Sequence, residues 1–128
     1  MSNWASFEPL ALEGMELKVE PAGVVRLSGT ITMRSPSQVL QPHLRKLHDA
    51  ALAAGLEAVT VDVRKLTFVN SSSMRLFVDW TVWLKDQPAE KRYRLVFVTD
   101  GAVTWQRKSF PVIRSLAPDI VEIRVEQA

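Results

Sequence analysis

The run Ala58-Val59-Thr60-Val61-Asp62-Val63, rich in β-branched residues and bounded upstream by Gly55, most constrains how this chain folds. Such side chains are crowded in a helix and pack well on a pleated surface, so the run reads as a well-buried central strand. Segments with helical spacing lie on both sides of it. Leu40, Leu44, Leu47 and Ala51 share one face before Gly55 stops the helix, and a very apolar segment runs to Leu84. A strand with a helix before and after it needs crossover connections, and these give parallel neighbours.

The remaining elements extend that sheet. Leu17 and Val19 alternate with charged residues, Pro21-Ala22-Gly23 marks a turn, and Val24 to Ile31 reads as a second strand paired with the first as a hairpin. Ser35 and Pro36 suit an N-cap and a first helical position. Pro42 then requires either an irregular first turn or a regular helix starting near Gln41. Arg94 to Thr99 is the next strand and Asp100-Gly101 a turn. Val103 to Leu116 is helical, divided into two pieces at Pro111, and Ile120 to Val125 is a last strand at an edge or on a half-exposed surface. The expectation is an α/β fold forming one domain over residues 16–128, a mixed, mostly parallel β-sheet of about five strands with alternating helices. Residues 1–15, with Trp4 and Phe7, read as an N-terminal extension.

Composition removes most enzymatic chemistry. The 128 residues suit a single core and include no cysteine, so thiolate nucleophiles, disulfides and cysteine-ligated metals are excluded. The two histidines, His43 and His48, are five apart and do not share a helical face, so they read as surface or boundary residues and no metal site is expected. The net charge of +2 is spread along the chain, which disfavours nucleic-acid binding. No apolar run approaches the roughly 20 residues that span a bilayer, and no basic-then-apolar leader is present at the N-terminus, so a cytoplasmic location without membrane insertion is expected. No catalytic residue and no cofactor is assigned: the serines of Asn70-Ser71-Ser72-Ser73 lack a companion His or Lys arrangement, a Gly-flanked nucleophile turn and a phosphate-cradling glycine loop.

Those serines stand where the strand hands over to the apolar helix. Hydroxyls there cap the helix, or face a partner and become modified. A phosphate in the first turn would meet free backbone N–H groups and the positive end of the helix dipole, and would add nearly two negative charges to any surface packed over it.

Taken with Val24 to Ile31 and Val59 to Val63, the stretch Phe68-Val69-Asn70-Ser71-Ser72-Ser73-Met74 resembles a STAS domain, the fold of bacterial anti-sigma factor antagonists. The resemblance covers Glu16 to Val125 in element order. It implies a non-enzymatic regulatory binding protein in a partner switch, whose partner is an anti-sigma factor or related serine kinase-like protein. Phosphorylation of the motif's first serine ends the association and a phosphatase restores it. By position that serine is Ser71, with Ser72 as second choice, and Asp62 matches the acidic strand end. Asn70, Ser71, Ser72, Ser73, Met74, Arg75 and Val78 form the implied contact surface. Two positions depart from the pattern: Asn70 replaces an acidic residue, and Ser73, which adds a side chain able to obstruct a partner, replaces a glycine.

At 100° steps the helix from Ser73 places Phe77, Trp80 and Leu84 at the centre of one face, Leu76 and Trp83 on one flank, and Met74 and Val78 on the other. That arc is wider than packing on a sheet requires. Neighbouring helices cover the excess, or it contacts another protein or a second copy, or Trp4, Phe7 and Trp105 fold back as a lid. An alternative function is accordingly a STAS-like scaffold or homodimer without a phosphorylation cycle, in a transporter-associated or signalling complex.

Overall fold

In the computed structural model, which describes residues 4, 7–12 and 14–127, the β-branched run begins one of the inner strands of a six-stranded sheet. The elements in chain order are β1 (Leu10–Leu12), β2 (Met15–Glu20), β3 (Val24–Ile31), α1 (Pro36–Val39), α2 (Gln41–Ala54), β4 (Ala58–Val69), α3 (Ser71–Lys85), a 3-10 turn (Ala89–Lys91), β5 (Arg94–Thr99), α4 (Thr104–Leu116) and β6 (Val121–Val125). The strands lie in sequence order, antiparallel from β1 to β3 and parallel from β3 to β6. The mixed, mostly parallel sheet is the expected one, with six strands in place of about five. The additional strand is β1, whose three residues are too few to show an alternation.

β4 is longer than its β-branched start. Arg64-Lys65 interrupts the apolar alternation, yet the strand continues to Val69, because β3 follows it through two register shifts, between Arg26 and Ser28 and between Gly29 and Thr30. Gly29, at φ +92°, makes the second shift possible: a Cβ there would collide with the Gly14 carbonyl, which accepts from Thr30 N–H at 2.8 Å. β4 thereby delivers Val69, buried, and then Asn70 to the start of α3.

Helices α2, α3 and α4 lie side by side on one sheet face. Phe77, Phe97 and Phe110 meet at the centre of that layer, with ring centroids 4.9 to 5.8 Å apart. The Pro42 problem is solved in both foreseen ways, by the short α1 and by α2 beginning at Gln41 with Pro42 in its first turn. Pro111 does not divide α4, contrary to expectation. It sits exposed within one continuous helix, held on either side by buried Gln106, Phe110 and Ile113. Trp4 is buried and donates from Nε1 to the Glu20 carbonyl at 2.7 Å, and Phe7 meets the His43 ring edge-on.

His48 also corrects the sequence reading. It is fully buried, with Nδ1 2.7 Å from the Tyr93 hydroxyl, which accepts from Trp80 Nε1 at 2.6 Å. The hydroxyl thus links the indole N–H to the imidazole, while His48 Nε2 is buried with no hydrogen-bond partner among the described residues. Helical spacing turned His48 inward with Leu44 and Ala51, and Tyr93, from a distant segment, supplied its partner.

Candidate functional site

The N-terminus of α3 is built by Asn70. Its backbone is extended (φ −72°, ψ 166°), and its Oδ1 accepts from Ser73 N–H at 2.9 Å, satisfying one of the free donors of the first turn. Its Nδ2 donates to the Met33 carbonyl at 3.3 Å and its N–H to the Ile31 carbonyl at 3.0 Å. The amide thus does two jobs, capping α3 and tying it to the end of β3. A carboxylate could perform only the first, which gives a physical reason for asparagine at this position.

The three serines separate by one step of helical rotation each. Ser71 and Ser72 are exposed, whereas Ser73 has no exposed surface and its Oγ has no hydrogen-bond partner. Ser73 therefore points into the molecule, away from anything approaching the helix start. Of the other residues named from sequence, Arg75 is exposed and Asn70, Met74 and Val78 are half-buried. Leu76 is buried and Trp83 packs on α2, its ring 5.1 Å from the Arg45 guanidinium carbon and 6.0 Å from the His48 ring. That flank of the wide apolar arc is covered by a neighbouring helix.

Ser71 and Ser72 open onto a groove of about 710 Å³ whose other walls are Arg34, Ser35, Gln41, Arg75, Leu76 and Asp79. Asp79 accepts from Gln41 Nε2 at 2.9 Å and lies 3.9 Å from Arg75. Among the described residues Arg34 has no ion pair, so the groove presents two guanidinium groups to one half-engaged carboxylate. Sequence reading missed Arg34, Gln41 and Asp79. The i, i+4 spacing of Arg75 and Asp79 was visible, but the approach of α1 and the start of α2 to α3 was not.

Asp62 is not part of this groove. Val61 and Val63 point into the core, so Asp62 points to the sheet face the helices leave open. There it is bound by Arg26 Nη1 at 2.6 Å, Arg64 Nη2 at 2.8 Å and Arg64 Nε at 3.0 Å. Burial alone would raise its pKa; the Arg64 side-chain and backbone hydrogen bonds and the two positive charges outweigh that and hold the carboxyl below its usual range. Arg26 also pairs with Glu20. No group of three or more potential metal ligands occurs among the described residues. None of their helices is long and apolar enough to cross a membrane.

A mixed sheet in sequence order, three helices on one face and a capped helix start after the long central strand make up a STAS-like domain, the fold of the anti-sigma factor antagonists. No family model and no curated protein sequence matches the chain. Solved structures do. An anti-sigma factor antagonist from Mycobacterium paratuberculosis is 20% identical over 88% of this chain and 88% of that one, with a TM-score of 0.56. SiaC of Pseudomonas aeruginosa is 16% identical over 94% of this chain and 100% of that one, with a TM-score of 0.67. A chain in the complex of the diguanylate cyclase SiaD with its activator SiaC, also from Pseudomonas aeruginosa, is 15% identical over 88% of this chain and 92% of that one, with a TM-score of 0.66.

Proposed function

We propose that this chain is a regulatory binding module of the anti-sigma factor antagonist type, which engages a protein partner through the start of α3 and is switched by phosphorylation of Ser71. The observation that carries the reading is the exposed Ser71-Ser72 pair at a capped helix N-terminus, beside a groove lined by Arg34 and Arg75. A phosphate there is compatible with the fold, since it faces first-turn N–H groups and two guanidiniums. For a partner packed over the same spot it adds bulk and nearly two negative charges in a desolvated contact, which favours release. The contact surface comprises Asn70, Ser71, Ser72, Met74, Arg75 and Val78, with Ser73 supporting it from beneath. The fold shared with an anti-sigma factor antagonist supports a regulatory binding role, and the partner we propose is a serine kinase-like protein.

A second reading keeps the surface and changes the partner. The likeness to SiaC, the activator of a diguanylate cyclase, favours an enzyme that is activated by binding over a sigma-factor regulator. Incubation with ATP and candidate serine kinase-like proteins of the source organism, followed by mass spectrometry, tests the switch. One phosphate on Ser71, absent from Ser71→Ala, is expected; a chain that binds its partner and is never phosphorylated at Ser71 or Ser72 leaves only the second reading.

A further inference from the structure

β6 forms one edge of the sheet, and its main-chain groups alternate between inward and outward. The Ile120 carbonyl accepts from Leu95 N–H at 3.0 Å, and Glu126 N–H donates to the Thr99 carbonyl at 2.8 Å. With Val96 opposite Glu122 and Val98 opposite Arg124, the even-numbered residues of β6 bond to β5. The N–H and C=O groups of Val121, Ile123 and Val125 consequently point away from the sheet, where among the described residues only Val121 N–H has a partner, the Ala117 carbonyl at 2.9 Å.

The side chains on this edge are self-complementary. Glu122 and Arg124 lie on the open sheet face, half exposed, with Glu122 3.3 Å from Arg94 and 3.2 Å from Arg124. Val121 and Ile123 face the core, and Val125, an apolar residue at the strand end, is 65% exposed. If a second β6 runs antiparallel with Ile123 opposite its own copy, Glu122 falls opposite Arg124 and Val121 opposite Val125. In that register the outward-pointing residues are those that exchange hydrogen bonds, except for Val121 N–H, which stays with the Ala117 carbonyl. The Glu–Arg pairs fall at the closer, non-hydrogen-bonded positions. Edge strands are usually protected by charges that repel a copy of themselves. Here the charges attract one.

We infer that β6 is a self-pairing edge through which two copies of this chain form a symmetric dimer about Ile123, joining their sheets. The two-fold makes the interface isologous, so each ion pair occurs twice. β5 separates this edge from β4, so the pairing uses a different surface from the start of α3 and stands independently of the proposed switch.

Sedimentation analysis from about 1 to 500 μM tests the register. Wild type is expected to dimerise with rising concentration. Glu122→Arg and Arg124→Glu each place like charges opposite one another, and each is expected to weaken self-association at least tenfold. Mixed in equal amounts, the two variants place arginines opposite glutamates at both positions and are expected to form a heterodimer. The double variant is expected to dimerise like wild type. Val125→Asp, at an exposed position, sets a carboxylate opposite Val121 and should also abolish dimers without relying on the other variants' folding. A wild type that stays monomeric, single variants that dimerise as well as wild type, or a mixture that does not assemble overturns the inference.

Discussion

At the scale of single residues, the buried polar groups carry the most consequence. Trp80, Tyr93 and His48 form one chain of hydrogen bonds, and removing its middle member strands the Trp80 indole N–H and His48 Nδ1 in the interior. Tyr93→Phe is therefore expected to cost about 2 to 4 kcal/mol, read as a lower urea midpoint. His48 and His43 both have lowered pKa values, from burial first and then from neighbouring positive charge. The folded chain thus refuses protons that the unfolded chain accepts near 6.5. The stability these residues contribute is complete above that pH and is lost as pH falls below it. Urea midpoints should drop between about pH 7.5 and 5.5, and His48→Gln should flatten the drop; a midpoint independent of pH in that window would contradict the assignment. Ser73 is the opposite case. Its buried Oγ has no partner, so Ser73→Ala is expected to stabilise the fold by about 1 kcal/mol in the same assay.

At the scale of elements, what was legible in the sequence followed the strength of the local pattern. The central strand, the hairpin and the apolar helix after the serines follow from β-branched runs, a turn signal and helical spacing alone. The full length of β4 did not, because Arg64-Lys65 breaks an alternation that only the shifted register of β3 sustains. The environment of His48 was hidden because Tyr93 reaches it from 45 residues away. For the same reason the site was read as a line along α3 and found to be a groove, since Arg34 and Gln41 arrive from α1's approach and α2. Pro111 was read by its local cost, whereas burial of Phe110 and Ile113 on either side overrides it. The missing N–H still leaves a helix carbonyl without its donor, so Pro111→Ala is expected to raise stability by about 1 to 2 kcal/mol; destabilisation would mean the proline is favoured there.

At the scale of the whole molecule, the helix layer and the open sheet face divide the work. The core, the aromatic centre and the buried hydrogen-bond chain hold the α3 terminus in place, while its two outer serines stay free to meet a partner. In the proposed function that terminus is both contact and switch. The direct measurement is titration of the partner, identified by co-purification with the unmodified chain, against wild type, Ser71→Ala and Ser71→Glu. Alanine is predicted to bind within about threefold of wild type and glutamate at least about tenfold more weakly, a difference of about 1.4 kcal/mol or more. Equal affinity for all three would contradict it.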